Sequence, residues 1–190
     1  MKGLIFTYLL TYGGAVAALF DPYVGLLVYI AFAILKPDAM WSWSVPQGSY
    51  SRIVALAMLA GWALHGFGRW QLGRAKPVIV VLVAYWVWAV VCAILAPVPD
   101  VAWGFVAALT KVVLPVLVGI TVIDTVGKAK LLAWVIVVSE GYLAFELNLA
   151  YYQGHNRVYE DGFAGSDNNC VAIAMVTCMG LAFFLGLGAG

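Results

Sequence analysis

The chain has 190 residues, of which 65% are hydrophobic and only 10% are charged, with a mean hydropathy of +0.99 and a formal net charge of +1. Soluble domains carry charge on about a quarter of their residues, so this composition excludes an ordinary soluble domain and indicates an integral membrane protein. Because the charge is near neutral and no basic run is present, no nucleic-acid partner is expected.

Seven apolar segments follow one another and predict membrane helices. They cover residues 3–20, 23–35, 53–68, 78–96, 103–123, 131–149 and 170–187. Several of them run for 18 or 19 residues without a charge, close to the roughly 20 residues that a helix needs to cross a bilayer. They lack the polar alternation of barrel strands. The expected fold is therefore all-α, a polytopic transmembrane helix bundle of about 6–7 membrane segments that forms one transmembrane domain over residues 1–190.

The first two segments leave the side of the N-terminus open. Asp21 and Pro22 separate them, and a proline suits the first turn of a new helix. Residues 23–35 are short for a full crossing, so this segment is a tilted, partial or re-entrant element. The N-terminus lies outside if both segments cross the membrane and inside if only one does.

Lysine and arginine in short loops predict the orientation of the helices. Two connections carry five of these cations: Arg69, Arg74, Lys76, Lys128 and Lys130. Such loops face the cytoplasm, so the next loop, residues 151–169, is expected on the external side. The loop of residues 36–52 shares that side, and its aromatic residues are typical of an interfacial belt.

The external loop of residues 151–169, YYQGHNRVYEDGFAGSDNN, is a polar island between two apolar runs. The guanidinium of Arg157 stays charged and offers a fork of donors that matches phosphate oxygens. The helix expected to begin near Asn169 adds free N–H groups and the positive end of its dipole. This pattern favours either a site for a pyrophosphate at the membrane surface or an interfacial arginine beside a capped helix.

Two ionisable residues interrupt apolar helices at similar depths. At about 1.5 Å per residue, Lys111 lies about 12 Å and Glu140 about 14 Å from the external ends of their helices. Charged groups in lipid face a partner or a cavity. We expect either an ion pair between adjacent antiparallel helices or a polar floor beneath a substrate cavity. Glu146, turned away from Glu140 on the same helix, is placed to reach the loop of Arg157.

Other reactive residues give weaker signals. His155 is a candidate general base near neutral pH, although a loop histidine is more often solvated or hydrogen-bonded. Cys92, Cys170 and Cys178 lie in or beside apolar helices without the spacing of metal ligands, so no metal site is expected.

The external loop and its flanks resemble the O-antigen ligase and polymerase family. An arginine and a glycine-containing spacer precede Asp-Asn-Asn at the start of an apolar helix. In this chain the corresponding residues are Arg157, Gly162, Gly165, Asp167, Asn168 and Asn169, followed by CVAIAM. Upstream, FDPYVGLLVYIAFAILKP, the aromatic loop after it, GWALHG and TKVVLP are similar to the exosortase-associated O-glycosylation ligases. The similarity covers essentially the whole chain, as the N-terminal half of a longer protein.

The resemblance implies a multi-pass glycosyltransferase of the bacterial inner membrane with a GT-C-like fold. Such enzymes act in lipopolysaccharide and polysaccharide biosynthesis. They move a glycan from undecaprenyl pyrophosphate to a lipid-linked sugar, a glycan or a protein on the external, periplasmic face. No nucleotide sugar, other cofactor or metal is implied. Membrane lipids are the remaining expected partner.

The resemblance also implies roles for individual residues. Arg157 would be catalytic, because it would bind the donor pyrophosphate and stabilise the charge that develops on the leaving group. The wider set of expected substrate-binding residues is Arg157, Asp167, Asn168, Asn169, Lys111, Glu140 and Glu146.

The chain departs from the family pattern in its length. The later external loop of the family, which carries a second arginine and the catalytic histidine, has no counterpart here, and His155 does not match that histidine. The chain is therefore expected to be a truncated protein that is inactive alone. The alternatives from other classes are a transporter or channel module with Lys111 and Glu140 along a polar path, and a non-catalytic membrane scaffold.

Overall fold

A helical bundle is formed by the residues that the computed structural model describes, which are 2–70, 72–160, 163 and 168–188. The helices in these ranges are α1 (Lys2–Phe20), α2 (Pro22–Leu35), α3 (Pro37–Met40), α4 (Tyr50–Leu64), α5 (Lys76–Ile94), α6 (Pro99–Val122), α7 (Val126–Tyr152), α8 (Arg157–Glu160) and α9 (Asn168–Leu187). The predicted all-α class is confirmed, and each apolar segment corresponds to one of the longer helices.

Six of the described helical stretches are long and apolar enough to cross a membrane, so the chain is a multi-pass membrane protein. They are Lys2–Phe20, Pro22–Met40, Gly73–Ile94, Pro99–Val122, Val126–Tyr152 and Asn168–Leu187. The second of these stretches is longer than the predicted apolar segment 23–35, because α3 extends the helical stretch beyond Lys36. The remaining long helix, α4, has 15 residues.

The ends of α2 follow from local chemistry. The predicted break between α1 and α2 is confirmed, since the Asp21 carboxylate caps α2 by accepting a hydrogen bond of 2.9 Å from the backbone N–H of Tyr23. At the other end Lys36 has a φ of 41°, in the left-handed region that ends helices. The chain then restarts as α3 at Pro37, whose fixed φ suits a first helical turn.

Helices α1, α2 and α4 pack tightly against one another through small residues. A Cβ atom on Gly25 would lie 2.6 Å from the Cβ of Ala18 and 3.0 Å from that of Met58. A Cβ atom on Gly61 would overlap the carbonyl oxygen of Ala18. The absence of side chains at these glycines therefore lets the three backbones approach closely, as is common between membrane helices.

Helix α2 lies at the centre of the bundle. It packs against α1 and α4 on one side and against α6 and α7 on others, whereas α6 and α7 make little direct contact although they are consecutive in the described chain. Leu26 of α2 is buried against Met58 and Val118, which joins α2 to α4 and α6. The position of α2 therefore separates the residues of α6 from those of α7.

Two indole–threonine hydrogen bonds attach α6 to its neighbours. Nε1 of Trp62 in α4 donates to Oγ1 of Thr121 at 2.8 Å, and Nε1 of Trp86 in α5 donates to Oγ1 of Thr110 at 2.8 Å. Polar side chains in an apolar surrounding are stabilised by such bonds because few other partners exist there.

The connections between helices segregate to two ends of the bundle. We call the end that carries α3, α8 and the start of α9 the α3 end. Residue Gly3 approaches the ring of Trp41, so the N-terminus is at the α3 end as well. This is the arrangement expected if both of the first two segments cross the membrane. The opposite end carries the five cations predicted for cytoplasmic loops.

Candidate functional site

An open cavity of about 840 Å³ lies at the α3 end between α2, α4 and α6. A cavity of about 300 Å³ adjoins it and shares several wall residues with it. Among the described residues, the charged groups of the combined wall are Lys36, Asp38, Arg52 and Lys111. We call this combined cavity the cationic basin. Three cations against one carboxylate favour the binding of an anion.

The floor of the cationic basin is formed by Lys111 and Tyr29. Lys111 lies about 18 Å along α6 from Pro99, at about 1.5 Å per residue, so the basin reaches deep into the bundle. The Tyr29 hydroxyl donates a hydrogen bond of 3.0 Å to the carbonyl oxygen of Lys111. Pro115 has no N–H group, so the helix itself cannot supply the usual donor to this carbonyl. Tyr29 supplies it instead.

A second cavity, of about 540 Å³, begins where the cationic basin ends. It shares Tyr29 and Lys111 with the basin and runs along α6 to Ile123, between α2, α6 and α7. The rest of its wall is apolar, with residues such as Val116 and Ile120. We call this cavity the apolar groove. A polar, cationic space and an apolar one therefore meet at a single boundary.

The guanidinium of Arg157 binds the backbone of α3. Its Nη1 donates to the carbonyl oxygen of Met40 at 3.2 Å, and its Nη2 donates to that of Ala39. These two bonds use part of the five-donor fork of an arginine. Because Ala39 also lines the cationic basin, Arg157 ties α8 to the wall of that basin. Arg157, whose binding of an anion stays a prediction, therefore makes a structural contact.

The loop before Arg157 folds into its own capped turn. The Asn156 side chain accepts from the N–H of Tyr159 at 3.3 Å, and its backbone N–H donates to Glu160 at 3.2 Å. The other carboxylate oxygen of Glu160 lies 3.1 Å from Nδ1 of His155. These reciprocal bonds resemble a capping box. His155 therefore takes part in a local contact, as loop histidines often do.

The predicted ion pair between Lys111 and Glu140 is wrong. Glu140 lines a cavity of about 150 Å³ with Lys36, Phe163 and Cys170, and this cavity shares Ala33 and Lys36 with the cationic basin but does not include Lys111. Its Oε2 atom is buried and has no hydrogen-bond partner in the part of the chain that the structure describes. The similar depths of Lys111 and Glu140 are real, but α2 lies between their helices. The alternative of a polar path that contains both residues stays a prediction.

The remaining predicted site residues have mixed outcomes. Glu146 accepts a hydrogen bond of 2.7 Å from the Tyr142 hydroxyl on its own helix rather than reaching Arg157. The helix predicted to begin near Asn169 is present, with Asn168 and Asn169 as its exposed first residues. Asp167, like Gly162 and Gly165, lies outside the described residues.

Lys36 and Arg52 are basin residues that sequence reasoning missed. They stand at the two ends of a connection that was interpreted as an aromatic belt. A signal was nevertheless present, because both cations belong to a loop that is predicted to be external, and lysine and arginine are normally depleted in external loops.

The fold and the basin define a multi-pass helical membrane protein with a cation-lined cavity at one end. Residues 1–150 match the model of a family described as "Family of unknown function (DUF5935)", and the chain belongs to that family. No curated protein and no solved structure matches the chain.

Proposed function

We propose that the chain is the donor-binding part of a membrane glycosyltransferase of the O-antigen ligase or polymerase type. The observation that carries this proposal is the cationic basin at the α3 end, with Arg157 attached to its wall through Ala39. A pyrophosphate carries several negative charges, and the three cations of the basin complement them. The glycan would arrive on undecaprenyl pyrophosphate, and the acceptor would be a lipid-linked sugar, a glycan or a protein.

In the proposed reaction an acceptor hydroxyl attacks the anomeric carbon of the donor sugar. The bond between this carbon and the pyrophosphate oxygen breaks, a base takes the hydroxyl proton, and the configuration inverts. Negative charge grows on the leaving pyrophosphate. A guanidinium that is already held in place stabilises this charge without reorganisation, which is the role proposed for Arg157.

The α3 end is proposed to face the periplasm, with the bundle in the bacterial inner membrane. Support comes from the opposite end, which carries the cations that normally mark cytoplasmic loops. A carrier lipid in the outer leaflet of that membrane would then present its pyrophosphate at the level of the cationic basin.

The test is an Arg157→Ala substitution in the whole gene product that contains this chain. Loss of one preorganised donor typically lowers turnover by about 10²–10³-fold, so glycan transfer in cells should fall by at least this factor. Arg157→Lys keeps the charge but not the fork, and should retain part of the activity. Arg74→Ala, at the opposite end, is the matched control and should transfer normally.

The amount of each variant in the membrane fraction separates lost chemistry from lost folding. Undiminished transfer by Arg157→Ala would overturn the proposal. If that variant is not retained in the membrane, the basin variant Lys36→Gln with Arg52→Gln gives an independent readout, since both residues line the basin and lie outside α8. Normal transfer by this stable double variant would equally contradict the proposal.

A further inference from the structure

We infer that the apolar groove holds the hydrocarbon chain of a single-chain polyisoprenoid phosphate whose headgroup lies in the cationic basin. The inference deepens the proposed function and rests on it for the identity of the donor lipid. It does not depend on where glycan transfer takes place, because the site is built from α2, α4, α6 and α7 rather than from the loop of Arg157.

The first argument is the continuity of the two cavities. Both are lined by Tyr29 and Lys111, so the polar space ends where the apolar space begins. An amphiphilic molecule placed across this boundary has its charged part among cations and its chain among apolar side chains. The apolar groove follows α6 from Lys111 to Ile123, about 18 Å at about 1.5 Å per residue, which gives room for a long chain.

The second argument is the position of Lys111. An ammonium group at this depth of a membrane helix is costly unless it has a partner or a polar cavity. No ion pair to Lys111 occurs among the residues that the structure describes. A phosphate in the cationic basin supplies the missing negative charge, and the flexible lysine stem can lie along the apolar wall.

The third argument concerns the kind of lipid. The cationic basin continues into the apolar groove along α6, and a single long chain that lies along this helix would follow the groove. A soluble phosphate or pyrophosphate would need the basin only and would leave the groove unexplained. The volume of the groove, about 540 Å³, is within the range of about 300–1,000 Å³ usual for ligand sites.

The experiment measures lipid binding to the purified 190-residue chain in detergent micelles by native mass spectrometry. The probes are undecaprenyl phosphate, undecaprenol, dioleoyl phosphatidate and inorganic pyrophosphate. Undecaprenyl phosphate should bind at least tenfold more tightly than each of the others, because it alone combines one long chain with a phosphate.

Two matched pairs of variants locate the site. Val116→Trp fills the apolar groove and Lys111→Gln removes the cation at its mouth, and each should weaken binding of undecaprenyl phosphate at least tenfold. The controls Val87→Trp, on an exposed face of α5, and Lys130→Gln, at the opposite end, should bind normally. Thermal unfolding verifies that the variants fold, and Ile120→Trp replaces Val116→Trp if the latter does not.

Two results would overturn the inference. One is unchanged binding in folded groove variants, which would confine the ligand to the basin. The other is equal binding of dioleoyl phosphatidate, which would make this a general phospholipid site. Either failure is distinguishable from failure of the proposed function. The proposed function is decided by glycan transfer in the Arg157→Ala variant, and Arg157 is not part of the groove wall.

Discussion

The hydroxyl of Tyr29 donates to the backbone carbonyl of Lys111, the acceptor that Pro115 leaves without its helical donor. One hydrogen bond therefore compensates for the proline and attaches α2 to α6. It does so at the boundary between the cationic basin and the apolar groove. The proline frees the carbonyl of the lysine in α6, and the tyrosine of α2 binds that carbonyl.

Removal of the Tyr29 hydroxyl should cost stability only while Pro115 is present. We expect Tyr29→Phe to lower the free energy of unfolding by about 1 kcal/mol, the usual range for hydrogen bonds between membrane helices. In a Pro115→Ala background the helix regains its own N–H donor, so the cost should fall close to zero. A double-mutant cycle by denaturant unfolding in micelles measures this coupling. Equal costs in both backgrounds would contradict the explanation.

A side chain at Gly61 should disrupt the packing of α1 on α4. Its Cβ would overlap the carbonyl oxygen of Ala18, a backbone atom that cannot rotate away. We expect Gly61→Ala to lower the free energy of unfolding by about 1–3 kcal/mol, as overpacking does, despite the better helix propensity of alanine. Gly141→Ala is the control, because nothing lies within 4 Å of its Cβ position. That variant should be as stable as the unmodified chain or slightly more stable.

Acid should weaken the contact between Asp124 and Lys128 in the connection between α6 and α7. Their charged atoms are 2.8 Å apart, and the hydrogen bond from Lys128 lowers the pKa of Asp124 below its ordinary value of 3.8. When folding lowers the pKa of a carboxyl group, the charged group stabilises the fold at any pH above its pKa in the unfolded chain. This contribution disappears as the pH falls through its pKa in the folded chain.

The measurement compares melting temperatures of the unmodified chain and Asp124→Asn. Their difference should be small, since the pair is exposed. It should be present at about pH 6, begin to fall near pH 3.8 and vanish once the pH is below the lowered pKa of Asp124. Asp100→Asn, in the first turn of α6 at the α3 end, serves as the comparison. A difference that stays constant down to the lowest pH would show that the charge of Asp124 is not what matters.

Labelling of single cysteines should separate the two ends of the bundle. In a background without Cys92, Cys170 and Cys178, a membrane-impermeant maleimide added to intact spheroplasts should modify Gln47→Cys at the α3 end. It should modify Arg74→Cys only after the membrane is permeabilised. The reverse pattern would invert the proposed orientation, and with it the periplasmic position of the cationic basin.

The helices could be predicted from the sequence because their determinants are local. The length of each apolar run and breakers such as Asp21 and Pro22 act within a few residues, and lipid demands that each backbone satisfy its own hydrogen bonds. The start of α9 at Asn168 was accessible for the same reason. The placement of the basic loops and the polar loops at opposite ends could be predicted as well, because each helix that crosses the membrane moves the chain to the other side.

The neighbours of each helix were decided by tertiary packing alone. The depth of a residue along a helix is a count of residues, and the similar depths of Lys111 and Glu140 were predicted correctly. The direction that each residue faces depends on which helices touch. Small residues such as Gly25 and Gly61 let α1 and α4 close on α2, and α2 in turn keeps α6 and α7 apart. The basin, with Lys36 and Arg52 in its wall, exists only because of that arrangement.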